Sequence, residues 1–227
     1  ASISESANYE GYEKTAVLTI NKLSFTPDSL GTLYFEDGYT LYDMNYHYLS
    51  INPEAEEWND APLTQLVFDL AGGTLYIPIA YHYLGESGEY DMEFINAINA
   101  GLYNVRASIA DNTNYDGVTL HASLTIGQLL FNDEEGHLGT LYMTAPPPLT
   151  YDSRTHYVGI SYTDEWLDEL VTSLSYQLAG GTLNIPIVLE VSKNGAEFLP
   201  YNGSKDAGTY VIRAIIEQGN GNYENKT

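Results

Sequence analysis

The chain has 227 residues and sets eight Lys and Arg against 31 Asp and Glu, a formal net charge of −23. Phosphate backbones and anionic lipid surfaces are held by clustered cations, so nucleic acid and membrane are excluded as partners. The lack of cysteine excludes disulfides, thiolate-bound zinc and a thiol nucleophile, and no run of 18 apolar residues is present to span a bilayer.

In chain order, "ASISESANYEGYEKTAVLTI" (1–20) aligns without gaps on "ASIADNTNYDGVTLHASLTI" (107–126). It is polar and is not a signal peptide. It reads as the closing hairpin of a preceding module, over residues 1–25. A first module follows over 26–131 and a second over 132–227. "GTLYF" at 31 returns as "GTLYM" at 139, and "YDMNYHYLSI" at 42 returns as "YDSRTHYVGI" at 151. The closest match is "DLAGGTLYIPI" at 69 with "QLAGGTLNIPI" at 177, an offset of 177 − 69 = 108. "NAGLYNVRASI" at 99 returns as "DAGTYVIRAII" at 206. The order is the same in both copies, so one unit is duplicated. The second module stops before an "ASLTI"-like strand, while residues 1–20 carry a spare one. Two explanations stand: a window cut from a longer array, or a spare strand that completes a neighbouring chain.

Strand patterns dominate. "LYNVRASIA" and "TYVIRAIIE" alternate apolar with polar or small residues, the period of a half-buried strand. "TLYIPI" and "TLNIPI" follow Gly-Gly pairs, and Pro78 and Pro186 point to an edge strand or a bulge. "KNGAE" at 193 carries the Asn-Gly hairpin signal. "DEWLDELVTSL" at 164 predicts a short helix, with a β-connection as the alternative; "PEAEEW" at 53 occupies the matching place and predicts a helical turn. The fold class expected is all-β, with tandem immunoglobulin-like β-sandwich modules arranged end to end.

The motif line "YD…HY", "SKNG", "DAGTY", "NY", "LTI" resembles the MBG/YDG-type repeats of large bacterial cell-surface proteins. Tyr151 and Asp152 match the YD, and Asn194 and Gly195 the NG. Ala207, Gly208, Thr209 and Tyr210 match AGTY, Asn222 and Tyr223 match NY, and Leu124, Thr125 and Ile126 match LTI. Ser153 and Met44 depart from the usual Gly, and the "AGGTL-x-IPI" insert lies outside the pattern. The resemblance implies an immunoglobulin-like sandwich used as a stalk, spacer or adhesive element outside the cell, with no catalytic residues to carry over.

Among candidate sites, His47 and His156 fall at equivalent positions, each four residues after an Asp (Asp43, Asp152). A duplicated Asp…His pair reads as a structural hydrogen bond rather than a catalytic site, and no HExxH, GxSxG or phosphate-loop motif is present. "NTNYDG" at 112 offers oxygens like the opening of a calcium loop, but an ordinary hairpin loop explains the same residues. Asp133, Glu134 and Glu135 near the module junction are the candidate Ca²⁺ ligands, against a solvated linker. Tyr42, Tyr46 and Tyr48, read as one strand face, are the candidate glycan-binding patch, against a core edge. Lys22 and Lys193 are candidates for an intramolecular Lys–Asn cross-link by location alone.

The function expected is a non-catalytic structural or adhesive repeat of an extracellular, cell-surface protein or filament. Its partners are copies of itself, adjacent repeats of the same chain, or a glycan or host-surface ligand. Thr15, Ala16, Val17, Leu18, Thr19 and Ile20 are the candidate shared strand, which would build head-to-tail contacts by β-augmentation. The alternative is a carbohydrate-binding module of a secreted protein.

Overall fold

The computed structural model describes residues 2–4, 8, 12–217 and 219–227. Among these the chain is all-β, and no helix forms. A short antiparallel pair, β1 (Ser2–Ile3) and β2 (Tyr12–Glu13), opens it; the "SANYEG" stretch between them lies, apart from Asn8, outside the described residues. The first repeat then contributes β3 (Gly38–Leu41), β4 (Gln65–Leu70), β5 (Gly73–Pro78), β6 (Ala80–Tyr83), β7 (Met92–Glu93), β8 (Gly101–Ile109) and β9 (Val118–Gly127). The second contributes β10 (Ser173–Leu178), β11 (Gly181–Pro186), β12 (Val188–Lys193), β13 (Leu199–Pro200) and β14 (Tyr210–Ile215).

A five-stranded sheet runs β3-β9-β8-β6-β7, with β3 parallel to β9 and the other pairs antiparallel. Its core follows the two-residue period. Val105, Ala107 and Ile109 of β8 point inward beside Ala122, Leu124 and Ile126 of β9, all buried. Fully burying each of the larger chains contributes about 1.5–3 kcal/mol. The second repeat forms a smaller sheet, β13-β12-β14. The matching segments "AGGTL" each turn a tight hairpin in the same register. Leu70 pairs with Gly73 across β4–β5, and Leu178 pairs with Gly181 across β10–β11. Gly73 and Gly181 hold φ of 136° and 148°, which a side chain would strain.

Both prolines of these hairpins end their strands on two-stranded edges, where a missing N–H costs nothing. Asn194 (φ 54°) and Gly195 (φ 81°) are both left-handed, the requirement of a type I′ turn. The helix expected from residue 164 and the turn of helix from 53 do not form. Their side chains are spent elsewhere: Trp166 Nε1 donates to the Tyr157 carbonyl, and the Asp168 carboxylate accepts the Tyr157 N–H, so the segment is strapped lengthwise against residues 156–158. No helix among the described residues is long and apolar enough to cross a membrane.

Candidate functional site: a duplicated clasp, a junction and an open groove

The repeated Asp…His pair is one half of a three-residue clasp. His47 Nδ1 lies 2.9 Å from Asp60 Oδ2, and His47 Nε2 lies 3.0 Å from Asp43 Oδ1. In the second repeat, His156 Nδ1 lies 3.1 Å from Asp168 and His156 Nε2 lies 3.2 Å from Asp152. Each histidine also exchanges two backbone hydrogen bonds with a distant segment, His47 with Ala97 and His156 with Ser204, all at 2.8 Å. A tryptophan two residues before the second Asp closes each clasp. Trp58 and Trp166 donate to the carbonyls of Tyr48 and Tyr157. The sequence reading found Asp43 and Asp152 but missed Asp60 and Asp168. The signal was present as Trp-x-Asp at an offset of 108.

Two carboxylates facing both ring nitrogens favour the imidazolium, which donates to both. Burial alone would lower the His47 pKa; hydrogen bonds and charge from Asp60 and Asp43 outweigh it and raise it above the ordinary 6.5. In His156 the hydrogen bonds from Asp168 and Asp152 lead, and the direction is the same. Burial works against Asp43 ionisation, yet the Asn45 N–H, the His47 ring and the Asn45 amide hold its carboxyl below the ordinary range. In the imidazolium form both nitrogens donate, and the ring then has no lone pair for a proton or a metal ion.

The two repeats meet at a defined junction. The tip of the β10–β11 hairpin lands on the turn that follows β3: Gly180 N–H donates to the Asp43 carbonyl at 2.8 Å. A Cβ at Gly180 would stand 2.4 Å from the Met44 carbonyl carbon and 2.5 Å from its oxygen, so only glycine fits. Nearby, Ala100 N–H donates to Asn222 Oδ1 at 2.7 Å, and Asn222 Nδ2 donates to Asn99 Oδ1 at 3.1 Å. Asn222 is buried, 7 % exposed. The linker after β9 completes the contact, because Leu129 pairs with Tyr223 in the turn that carries Asn222. Leu23 pairs with Tyr115 in the same way.

Residues 15–20 lie outside every strand and are exposed; Val17, Leu18 and Ile20 are 93 %, 85 % and 85 % accessible. Leu18 and Ile20 stand at the positions of Leu124 and Ile126, which are buried in β9. Beside β14 lies a groove of about 620 Å³, lined by residues 145–150 on one side and by Tyr210 and Ile212 on the other. In the first repeat, β9 fills the corresponding place between β3 and β8. Accordingly Val105 is fully buried on β8, whereas its counterpart Ile212 is half-buried.

The remaining candidates are dispersed. No strand runs through residues 42–49, and Met44 takes a left-handed φ of 70°, so the alternation expected for the tyrosines fails. Tyr42 is buried, Tyr48 half-buried, and Tyr46 alone of the three is exposed. Asp133 Oδ1 accepts the Thr140 N–H, and Glu134 faces His137 at 3.7 Å. With Glu135 they build no group of three or more metal-ligating side chains among the described residues. In "NTNYDG", Asn112 Oδ1 accepts the N–H groups of Asn114 and Tyr115, the self-bonding of a hairpin loop. Lys22 pairs with Asp111 at 2.8 Å and Lys193 lies 3.8 Å from Asp206.

Comparison with protein-family models, curated proteins and solved structures gave no match.

Proposed function

We propose that this chain is a non-catalytic structural repeat of an extracellular, cell-surface protein or filament, and that its copies join head to tail by sharing a strand. The reading takes each repeat as an immunoglobulin-like sandwich module of the MBG/YDG type that the sequence resembles. The observation that carries it is the match between the exposed segment 15–20 and the open groove beside β14.

Taking the β8–β9 register as template, where Leu124 faces Tyr103 and Ala122 faces Val105, Leu18 would lie opposite Tyr210 and Ala16 opposite Ile212. Main-chain bonds to β14 would supply affinity and the buried Leu18 and Ile20 specificity. Pro146, Pro147 and Pro148 stand where Gly38, Tyr39 and Thr40 of β3 stand. They can accept from the incoming strand but not donate to it, so β14 carries most of the ladder. The clasps fit the same reading, since each engages both ring nitrogens of a histidine with carboxylates, one four residues back and one from a later segment.

The test is light scattering across a concentration series, with amide hydrogen exchange on β14. Wild-type chains should form a ladder of oligomers in which residues 210–215 gain protection. Leu18→Asp combined with Ile20→Asp should abolish both, because two charges would enter an apolar slot. A wild-type chain that stays monomeric at millimolar concentration refutes strand sharing.

A further inference from the structure

One glycine has no local reason to be a glycine. Gly72 is the counterpart of Gly180 at the tip of the β4–β5 hairpin. Neither takes a left-handed φ. At Gly180 the reason is the Met44 backbone, into which a Cβ would collide. At Gly72 a Cβ would meet nothing within 4 Å. A free tip with a glycine sacrifices about 0.5–1 kcal/mol of chain entropy relative to alanine for no contact within its own chain.

The rest of the junction is duplicated and half-used in the same way. Asn114, the counterpart of Asn222, is exposed, and its side chain makes no hydrogen bond among the described residues. Leu70, the counterpart of the half-buried Leu178, is 42 % exposed. On the second repeat, the turn at Asp152, Ser153 and Arg154 reproduces the landing site at Asp43, Met44 and Asn45. Ser153 has φ 69° where Met44 has 70°, and Asp152 accepts the Arg154 N–H as Asp43 accepts that of Asn45. Asp206 and Ala207 stand at the places of Asn99 and Ala100 and are exposed. Tyr103 and Tyr210 brace these two positions alike, through hydroxyl bonds to the carbonyls of Asn99 and Asp206. The chain thus carries one used knob and socket, and one unused knob and one unused socket on different repeats.

We infer that the β4–β5 hairpin tip and Asn114 of one copy dock on the Asp152–Ser153 turn and the Asp206–Ala207 corner of a second copy of this chain. Gly72 N–H then donates to the Asp152 carbonyl, and Asn114 accepts from the Ala207 N–H and donates to the Asp206 carboxylate. The linker spacing agrees: Ile20 precedes Leu23 by the same three residues that separate Ile126 from Leu129. A strand seated beside β14 would therefore deliver the next copy's first repeat to the socket. The knob-and-socket contact deepens the structural-repeat reading and rests on it, but it uses residues distinct from the shared strand.

The experiment uses full-length chains, whose lack of cysteine gives a clean background. Ala71→Cys, beside Gly72 at the exposed tip, and Ser153→Cys are made separately, mixed in equal amounts and oxidised. A disulfide-linked heterodimer in clear excess over the 1:2:1 ratio of random pairing is expected; a 1:2:1 yield of the three dimers would overturn the docking. In parallel, Gly72→Val should not lower the thermal midpoint of the dilute chain, because its side chain enters open space. It should weaken association by about ten- to hundredfold, the effect of an overpacked contact. Association of Gly72→Val equal to wild type overturns the inference even if the Leu18 and Ile20 variants abolish assembly, in which case strand sharing alone stands. Loss with Gly72→Val and not with the Leu18 and Ile20 variants leaves the docking standing and removes the shared strand.

Discussion

Replacing His47 with alanine tests the clasp where it is most buried. The ring is 7 % exposed and makes two hydrogen bonds to carboxylates. Each such bond contributes about 1.5–3 kcal/mol. The sum overstates the loss, because both carboxylates keep other donors: Asp60 still accepts the Tyr48 N–H, and Asp43 still accepts the Asn45 N–H and amide. The expected cost is about 2–4 kcal/mol, including the cavity beside Trp58. At about 2–4 °C per kcal/mol for a chain of this size, the midpoint should fall by about 4–16 °C. The pH dependence is the sharper part. The histidine pKa is raised on folding, so its stabilisation is complete below 6.5 and fades as pH rises through the folded value. The Asp43 pKa is lowered, so its share is complete above 3.8 and fades as pH falls through the folded value. The gap in melting midpoint between wild type and His47→Ala should therefore be widest between these two values and narrow in alkaline buffer. A gap that is equal at pH 5.5 and pH 9 would refute the imidazolium clasp and leave only a packing role for the ring.

Further expectations follow from the junction, the core and the charge. Gly180→Val should cost about 1–3 kcal/mol by chemical denaturation, since Met44 presents backbone on the colliding side and cannot yield. Leu124→Ala should cost about 2–5 kcal/mol in the same assay, because Leu124 is fully buried in β9, on the same inward face as the fully buried Val105 of β8. Raising salt from 0.05 to 0.5 M should strengthen self-association measured by sedimentation, since chains of net charge −23 repel and the screening length shrinks about threefold.

How far the sequence was readable depended on how local each signal was. The Asn194–Gly195 turn, the edge prolines and the alternation of β8 are dictated by φ, a missing N–H and a two-residue period, and each was legible from a few adjacent letters. The helix expected from residue 164 failed because a short amphipathic pattern says nothing of what its side chains will bind. Trp166 and Asp168 are anchored to Tyr157, and those bonds decide the backbone. Reading the tyrosines 42–48 as a strand failed at one residue, Met44, whose left-handed turn breaks the alternation. The position was already anomalous, since Met stands where the resembled family has Gly. Half of the clasp was visible as Asp…His; the other half needed a contact across 13 residues, which no local period announces.

The match at 69 and 177, nine letters of eleven, is strong because two constraints act on it at once. Gly73 and Gly181 are fixed by φ within their own hairpins, a demand that any isolated copy of the unit would keep. Gly180 is fixed by Met44, a residue of the other repeat, so its identity is set between units and not within one. A contact of that kind works only if every unit offers both a tip and a turn, and then the first tip and the last turn of any stretch remain open. An acidic surface keeps such open ends from sticking at random, because apolar patches on chains that repel meet only where shape and hydrogen bonds agree. Order in the assembly would then come from Gly72 and Asp152 for placement, and from Leu18 and Ile20 for strength. Separate loss of the two in the variants above is the behaviour this division of labour requires.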